Sequence, residues 1–81
     1  MTPQLELYYF PGCLFCRRVF SAMEKLSLSD EIVLYNIHED EEAAQRLVAV
    51  GGKRQVPCLF IDGKPLYESA DIIAYLETLV A

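Results

Sequence analysis

Apolar and polar positions follow two rhythms along this chain, and each change of rhythm marks an element. Residues 5–10, LELYYF, are short, aromatic and apolar, which predicts a strand ended by Pro11-Gly12. In the next stretch Cys16, Val19, Phe20, Met23 and Leu26 recur at helical spacing, with Arg17, Arg18, Ser21, Glu24 and Lys25 mostly on other faces. Residues 31–37, EIVLYNI, are β-branched and nearly all apolar, the pattern of an inner strand buried on both faces. Residues 38–52, HEDEEAAQRLVAVGG, read as a second helix. Its acidic start suits the positive end of a helix dipole, and Gly51-Gly52 stops it.

Residues 56–61, VPCLFI, predict a third strand, Asp62-Gly63 a tight turn, and residues 64–68, KPLYE, a short return strand. Pro65 suits a sheet edge, because it has no N–H to donate to a ladder. Residues 69–81 form a last helix with Ser69 as its N-cap, Asp71 in its first turn, and an apolar stripe of Ile72, Ile73, Leu76, Leu79 and Val80. The order is β-α-β-α-β-β-α: an α/β domain over residues 1–81, with three helices and a four-stranded mixed sheet. Its first two strands should be parallel and its last two an antiparallel hairpin.

Composition narrows the function classes. The chain has 81 residues, 53% of them hydrophobic, and a net charge of −5. That suffices for one compact core, and no strongly basic stretch offers nucleic acid a face. No apolar run approaches the ~20 residues of a membrane span, and the first ten residues lack the plan of a signal peptide. The expected compartment is the cytoplasm, and the expected state a monomer.

Three cysteines, Cys13, Cys16 and Cys58, are an odd number that does not suit a disulfide-stapled secreted domain. The first two form a Cys-x-x-Cys pair. Structural zinc needs four ligands, and only Cys58 and the lone His38 remain to complete a set, so no metal is expected. His38 reads most simply as a solvated turn or cap residue. A strand, a Pro-Gly break and a helix place Cys13 at a helix N-terminus, where free N–H groups and the dipole favour the thiolate, the reactive form. Cys16, one turn on, faces the apolar stripe. The expectation is therefore that Cys13 attacks a disulfide and that Cys16 resolves the mixed disulfide or stays as a buried partner. Arg17 and Arg18 oppose the dipole in the first turn, which a thiolate or an anionic ligand nearby would offset. Cys58 reads either as a small buried hydrophobe or as a third redox thiol. The five tyrosines read as core or edge packing, with Tyr67 nearest the chemistry.

The element order, the placement of Cys13-Leu14-Phe15-Cys16, and the later QVPCLFIDGKPLYESADIIAYL together resemble the glutaredoxin family of the thioredoxin superfamily. The segment VPCLFIDGKPLYES followed by IIAYL is also similar to the N-terminal domain of glutathione transferases. Transferases usually continue into an all-helical domain. This chain ends about where that domain would begin, so a free-standing glutaredoxin-like protein is expected.

The resemblance implies a thioredoxin-like fold and a glutathione site. Val56-Pro57 would carry a cis peptide bond facing the active cysteine, with the backbone of Val56 pairing with the cysteinyl part of glutathione. Glu68 and Ser69, at the start of the last helix, would hold its γ-glutamyl end. Lys53 and Arg54 would meet its glycine carboxylate, and Phe15 would join the glutathione-binding set. The implied activity is a glutathione-dependent thiol–disulfide oxidoreductase, with glutathione as co-substrate and disulfide-bearing or glutathionylated proteins as partners. Two alternatives stay open: a dimer bridging an iron–sulfur cluster through Cys13 and glutathione, and a transferase-like domain that binds glutathione without redox turnover. Three departures from the glutaredoxin pattern bear on this. Leu14 and Phe15 stand for the common Pro-Tyr, Phe10 stands where many members have lysine, and Tyr67-Glu68 replaces a Gly-Gly.

Overall fold

The computed structural model describes residues 3–80. Its elements run β1 (Leu5–Tyr9), α1 (Leu14–Lys25), a 3-10 turn (Ser29–Glu31), β2 (Ile32–Asn36), α2 (Glu41–Gly51), β3 (Cys58–Ile61), β4 (Lys64–Tyr67) and α3 (Ser69–Thr78). The strands form one sheet in the order β2-β1-β3-β4. β1 is parallel to β2 and antiparallel to β3, and β3 is antiparallel to β4. This is the predicted mixed sheet with three helices.

Side-chain alternation on β1 and β3 divides the core into two layers. Leu5, Leu7 and Leu59 point to one face and pack with Val19 and Met23 of α1 and Ile72 and Leu76 of α3. Tyr8, Cys58 and Phe60 point to the other and pack with Ala43, Ala44 and Leu47 of α2. Leu7, Tyr8, Cys58 and Leu59 are fully buried, as central strands require. Burying one such leucine contributes about 1.5–3 kcal/mol. Tyr8 keeps its hydroxyl satisfied at depth: Arg46 Nε donates to Tyr8 Oη at 3.0 Å. The Arg46 guanidinium also lies 4.8 Å from the Tyr35 ring, which stacks on Tyr8 at 5.2 Å.

The apolar run at 31–37 is not an inner strand. β2 lies at the sheet edge and leaves Val33 50% and Leu34 44% exposed. The inner place belongs to β1, which pairs on both sides, and only Ile32 and Ile37 of the run are buried. Pro65 does sit on an edge, on β4 opposite Phe60. The hairpin turn has φ of 50° at Asp62 and 85° at Gly63, the two positive values of a type I′ turn. Asp62 also accepts a hydrogen bond from the Gln4 amide at 2.8 Å, tying the turn to the start of β1.

Helix ends differ from the sequence expectation in three places. α2 begins at Glu41, with Asp40 as N-cap accepting from the Ala43 amide at 3.0 Å; residues 38 and 39 belong to the preceding turn. Gly52 closes α2 in the left-handed conformation, as expected. Ser69 is not the N-cap of α3. Glu68 holds that place, and Ser69 is the first helical residue, turned inward and buried. α3 ends at Thr78, and Ala81 lies outside the described residues. Among the described residues, no helix is long and apolar enough to cross a membrane.

Candidate active site

Pro11 and Gly12 turn the chain out of β1, Gly12 with φ of 88°, and deliver Cys13 to the end of α1. Cys13 is itself the N-cap of that helix. Its backbone is extended, and its sulfur accepts a hydrogen bond from the Cys16 amide at 3.2 Å. Cysteine thus occupies a place usually taken by serine, threonine, aspartate or asparagine. An N–H aimed at sulfur is accepted more strongly by a thiolate than by a thiol. Cys13 is partly exposed, whereas Cys16 is 1% exposed; both are free thiols. Burial, and then the bond to Cys13, hold the Cys16 thiol well above its ordinary value. The pair is therefore unequal: one sulfur reachable and capped by an amide, the other enclosed and protonated.

Around Cys13 the surface is apolar and basic. Leu14 and Phe15 are 71% and 56% exposed. Arg17 and Arg18 are exposed, with the Arg18 guanidinium 5.4 Å from the Phe15 ring centre. Phe10, at the position where glutaredoxins often have lysine, lies flat against His38 with ring centres 4.5 Å apart. The first turn of α1 holds no acidic residue to answer Arg17 and Arg18.

A cleft of about 250 Å³ lies beside this turn. Phe15, Gln55, Val56, Pro57, Glu68 and Ser69 line it. Five residues assigned to glutathione from the sequence thus share one concavity, although they come from three separate segments. The Val56-Pro57 peptide bond is cis. Lys53 and Arg54 are not among the lining residues; both are exposed on the loop that leads into it. Gln55 was not singled out from the sequence, and its only signal there is its place before Val56-Pro57.

Glu68 has φ of 71° and ψ of 123°, outside the regions that a residue with a side chain favours. Such a conformation costs on the order of 1–3 kcal/mol and persists where the surroundings enforce it. No side chain caps the N–H groups that begin α3, so this helix start keeps its donors. A helix N-terminus of this kind suits a carboxylate.

Tyr67 ties the segment before α3 to the loop before β3. Its ring precedes Glu68, and its hydroxyl donates to the Lys53 carbonyl at 3.0 Å. The Lys53 ammonium lies 4.6 Å from the same ring. A Cβ on Gly51 would collide with Tyr67 Oη, so the glycine permits this approach. Cys58 pairs with Tyr67 across the β3–β4 ladder and is fully buried; burial pushes its thiol up to about 11. Among the described residues, no group of three or more His, Cys, Asp or Glu side chains is placed to hold a metal ion.

Comparison with known proteins bears on family and fold. Residues 12–79 match the model of the glutathione S-transferase N-terminal domain. No curated protein sequence matches. Among solved structures, a trimeric glutathione transferase from Leishmania is 27% identical, with a TM-score of 0.78 over 96% of this chain and 17% of that one. Oxidized glutaredoxin 2 from Chlamydomonas reinhardtii is 20% identical, with a TM-score of 0.70 over 96% of this chain and 75% of that one. A thioredoxin-like protein is 20% identical, with a TM-score of 0.75 over 89% of this chain and 97% of that one. The last two likenesses concern the fold alone. With a thioredoxin-like fold and a family match that takes in Cys13, the cis-proline and the start of α3, the chain belongs to the family of glutathione S-transferase N-terminal domains.

Proposed function

We propose that this protein is a glutathione-dependent thiol–disulfide oxidoreductase. The observation that carries the reading is the inequality of its cysteine pair. Cys13 is accessible, caps α1 and takes the Cys16 amide on its sulfur; Cys16 is buried one turn along. A metal site or simple packing has no use for that asymmetry, whereas disulfide exchange does.

The Cys13 thiolate attacks one sulfur of a disulfide; that S–S bond breaks, and the other sulfur leaves as a thiolate and takes up a proton. A thiolate then attacks the mixed disulfide and releases the captured group or returns Cys13. Cys16, protonated and enclosed, is poorly placed to supply that thiolate at neutral pH. Glutathione in the cleft supplies it instead. Two glutathiones become one glutathione disulfide for each substrate disulfide reduced to two thiols. In the cleft, Val56 presents its backbone to the cysteinyl part. The N–H groups at Ser69 receive the γ-glutamyl carboxylate, and Glu68 faces the ammonium. Lys53 and Arg54 lie toward the glycine carboxylate. Phe15 covers the sulfur end. The three free thiols suit a reducing compartment such as the cytoplasm.

The test is reduction of hydroxyethyl disulfide at the expense of glutathione. Cys13→Ser should abolish turnover, while Cys16→Ser should keep it, because glutathione rather than Cys16 resolves the mixed disulfide. Wild type without turnover, or an active Cys13→Ser, overturns the reading. The family match favours one other reading, a glutathione-binding domain that performs no redox turnover. It predicts glutathione binding by calorimetry together with no disulfide reduction.

A further inference from the structure

The proposed handling of glutathione needs two segments at a fixed distance, and the backbone does little to fix it. Gln55, Val56 and Pro57 reach the cleft from the loop before β3, and Glu68 and Ser69 from the start of α3. Gly52 closes α2 with its amide on the Val48 carbonyl, and the pairing of β3 begins only at Cys58. Among the described residues, residues 53–57 make one hydrogen bond, and a side chain supplies it: Tyr67 Oη donates to the Lys53 carbonyl at 3.0 Å.

Tyr67 is itself firmly held. It ends β4 opposite Cys58, and the next residue is Glu68. Its ring packs against the layer of Tyr8, Leu47 and Phe60 and carries the Lys53 ammonium at 4.6 Å. Gly51 leaves the space that its hydroxyl occupies. Burial pushes that hydroxyl up to about 12, so it stays a donor at neutral pH. The end of a paired strand thus reaches across to a loop that has no ladder of its own. Tyr67 does not line the cleft, so its influence passes through the segments it joins.

We propose that Tyr67 is a positioning residue for glutathione: its hydroxyl sets the loop that offers Val56 against the helix start that offers Ser69, so that one ligand meets both. This rests on the reading of the cleft as a glutathione site. Holding the two segments in place before binding lowers the cost of ordering them around the ligand. The gain goes to a thiol long enough to reach both, which makes Tyr67 a determinant of selectivity for glutathione over shorter thiols.

Tyr67→Phe tests this, because it keeps the ring and removes only the hydroxyl. Two thiols serve in turn as reductant of hydroxyethyl disulfide. One is glutathione; the other is cysteinylglycine, which lacks the γ-glutamyl part and reaches only the Val56 segment. With glutathione, KM should rise about two- to tenfold while kcat stays within about twofold. With cysteinylglycine, both constants should stay within about twofold, whereas a general loosening of the fold would move both thiols alike. Calorimetry of the reduced protein with reduced glutathione, a mixture with no disulfide to exchange, should show the same loss of affinity of about two- to tenfold. Unchanged KM and affinity for glutathione, or equal losses with the two thiols, overturns the positioning role and leaves the reading of Cys13 standing. Weaker binding by Tyr67→Phe, beside a parent that turns over neither thiol, supports the positioning role and overturns the redox reading. A parent that neither binds glutathione nor turns over overturns both.

Discussion

At the residue scale, the three thiols differ through their surroundings alone. Cys13 meets solvent and an amide; Cys16 and Cys58 meet core. The enclosure of Cys58 has a consequence for stability. Burial pushes its thiol up to about 11 in the folded chain, whereas an unfolded chain titrates its cysteines near about 8.5. Between those values the unfolded chain gives up a proton that the fold retains. The contribution of Cys58 is therefore complete below about pH 8.5 and is lost as pH rises toward about 11. Cys58→Ser should remove on the order of 2 kcal/mol of this alkaline loss. Urea unfolding at pH 7 and pH 10.5 checks it: the difference between the two should be smaller in the variant. Cys13 and Cys16 were separable in the sequence because a strand, a Pro-Gly break and a helical stripe sit next to one another there. The burial of Cys58 comes from its register opposite Tyr67, a pairing between residues far enough apart in the chain that no local pattern announces it.

At the element scale, periodicity identified every strand and helix, and its one large error concerned placement. Apolarity along residues 31–37 was read as burial on both faces. Strand order decides burial, and strand order comes from pairings between distant segments, with β1 taking the centre and β2 the edge. The misplaced cap at Ser69 has a different origin. Serine is a good N-cap by type, but here tertiary packing turns it inward and sets the boundary at Glu68, in a conformation that composition does not announce. Within the site, the Val56-Pro57 and Glu68-Ser69 segments were legible as motifs. The clasp between them was not, since Tyr67, Lys53 and Gly51 carry no pattern that links them. The clasp has a measurable signature. Gly51→Ala should destabilise the protein by about 1–3 kcal/mol through the collision with Tyr67 Oη. In a Tyr67→Phe background, which lacks the colliding oxygen, the same substitution should cost less by at least about 0.5 kcal/mol. Urea unfolding of the four proteins closes that cycle, and additive effects would argue that glycine and tyrosine act separately.

At the scale of the whole molecule, two core layers share one sheet, and β1 belongs to both. Leu7 faces α1 and α3 while Tyr8 faces α2. Damage to one layer should therefore weaken the other. Leu7→Ala should lower stability by about 2–5 kcal/mol. Far-ultraviolet dichroism and tyrosine fluorescence should still report one common unfolding transition. Two separate transitions would mean that the layers fold independently. The sheet also sets which loops meet. Because β1 and β2 are parallel and β3 runs against β1, the reversals after β1, after β2 and before β3 lie at one end, which gathers Cys13, the acidic turn at Glu39–Glu42 and the Lys53-Arg54 loop there.

The sulfur of Cys13, the attacking group of the proposed chemistry, is also the fastener of α1. Any chemistry on that sulfur therefore rewrites the start of the helix. When the thiolate becomes one half of a mixed disulfide, the Cys16 amide faces a neutral, poorer acceptor, and the loss of a helix cap weakens the first turn by about 0.5–2 kcal/mol. The opening of that turn becomes a clock for the state of the Cys13 sulfur. Deuterium should enter the Cys16 amide about two- to thirtyfold faster after Cys13 is alkylated or captured by glutathione, while amides in the middle of α1 keep their rate. A single backbone proton, read by nuclear magnetic resonance, would then report whether the Cys13 sulfur is free or capped.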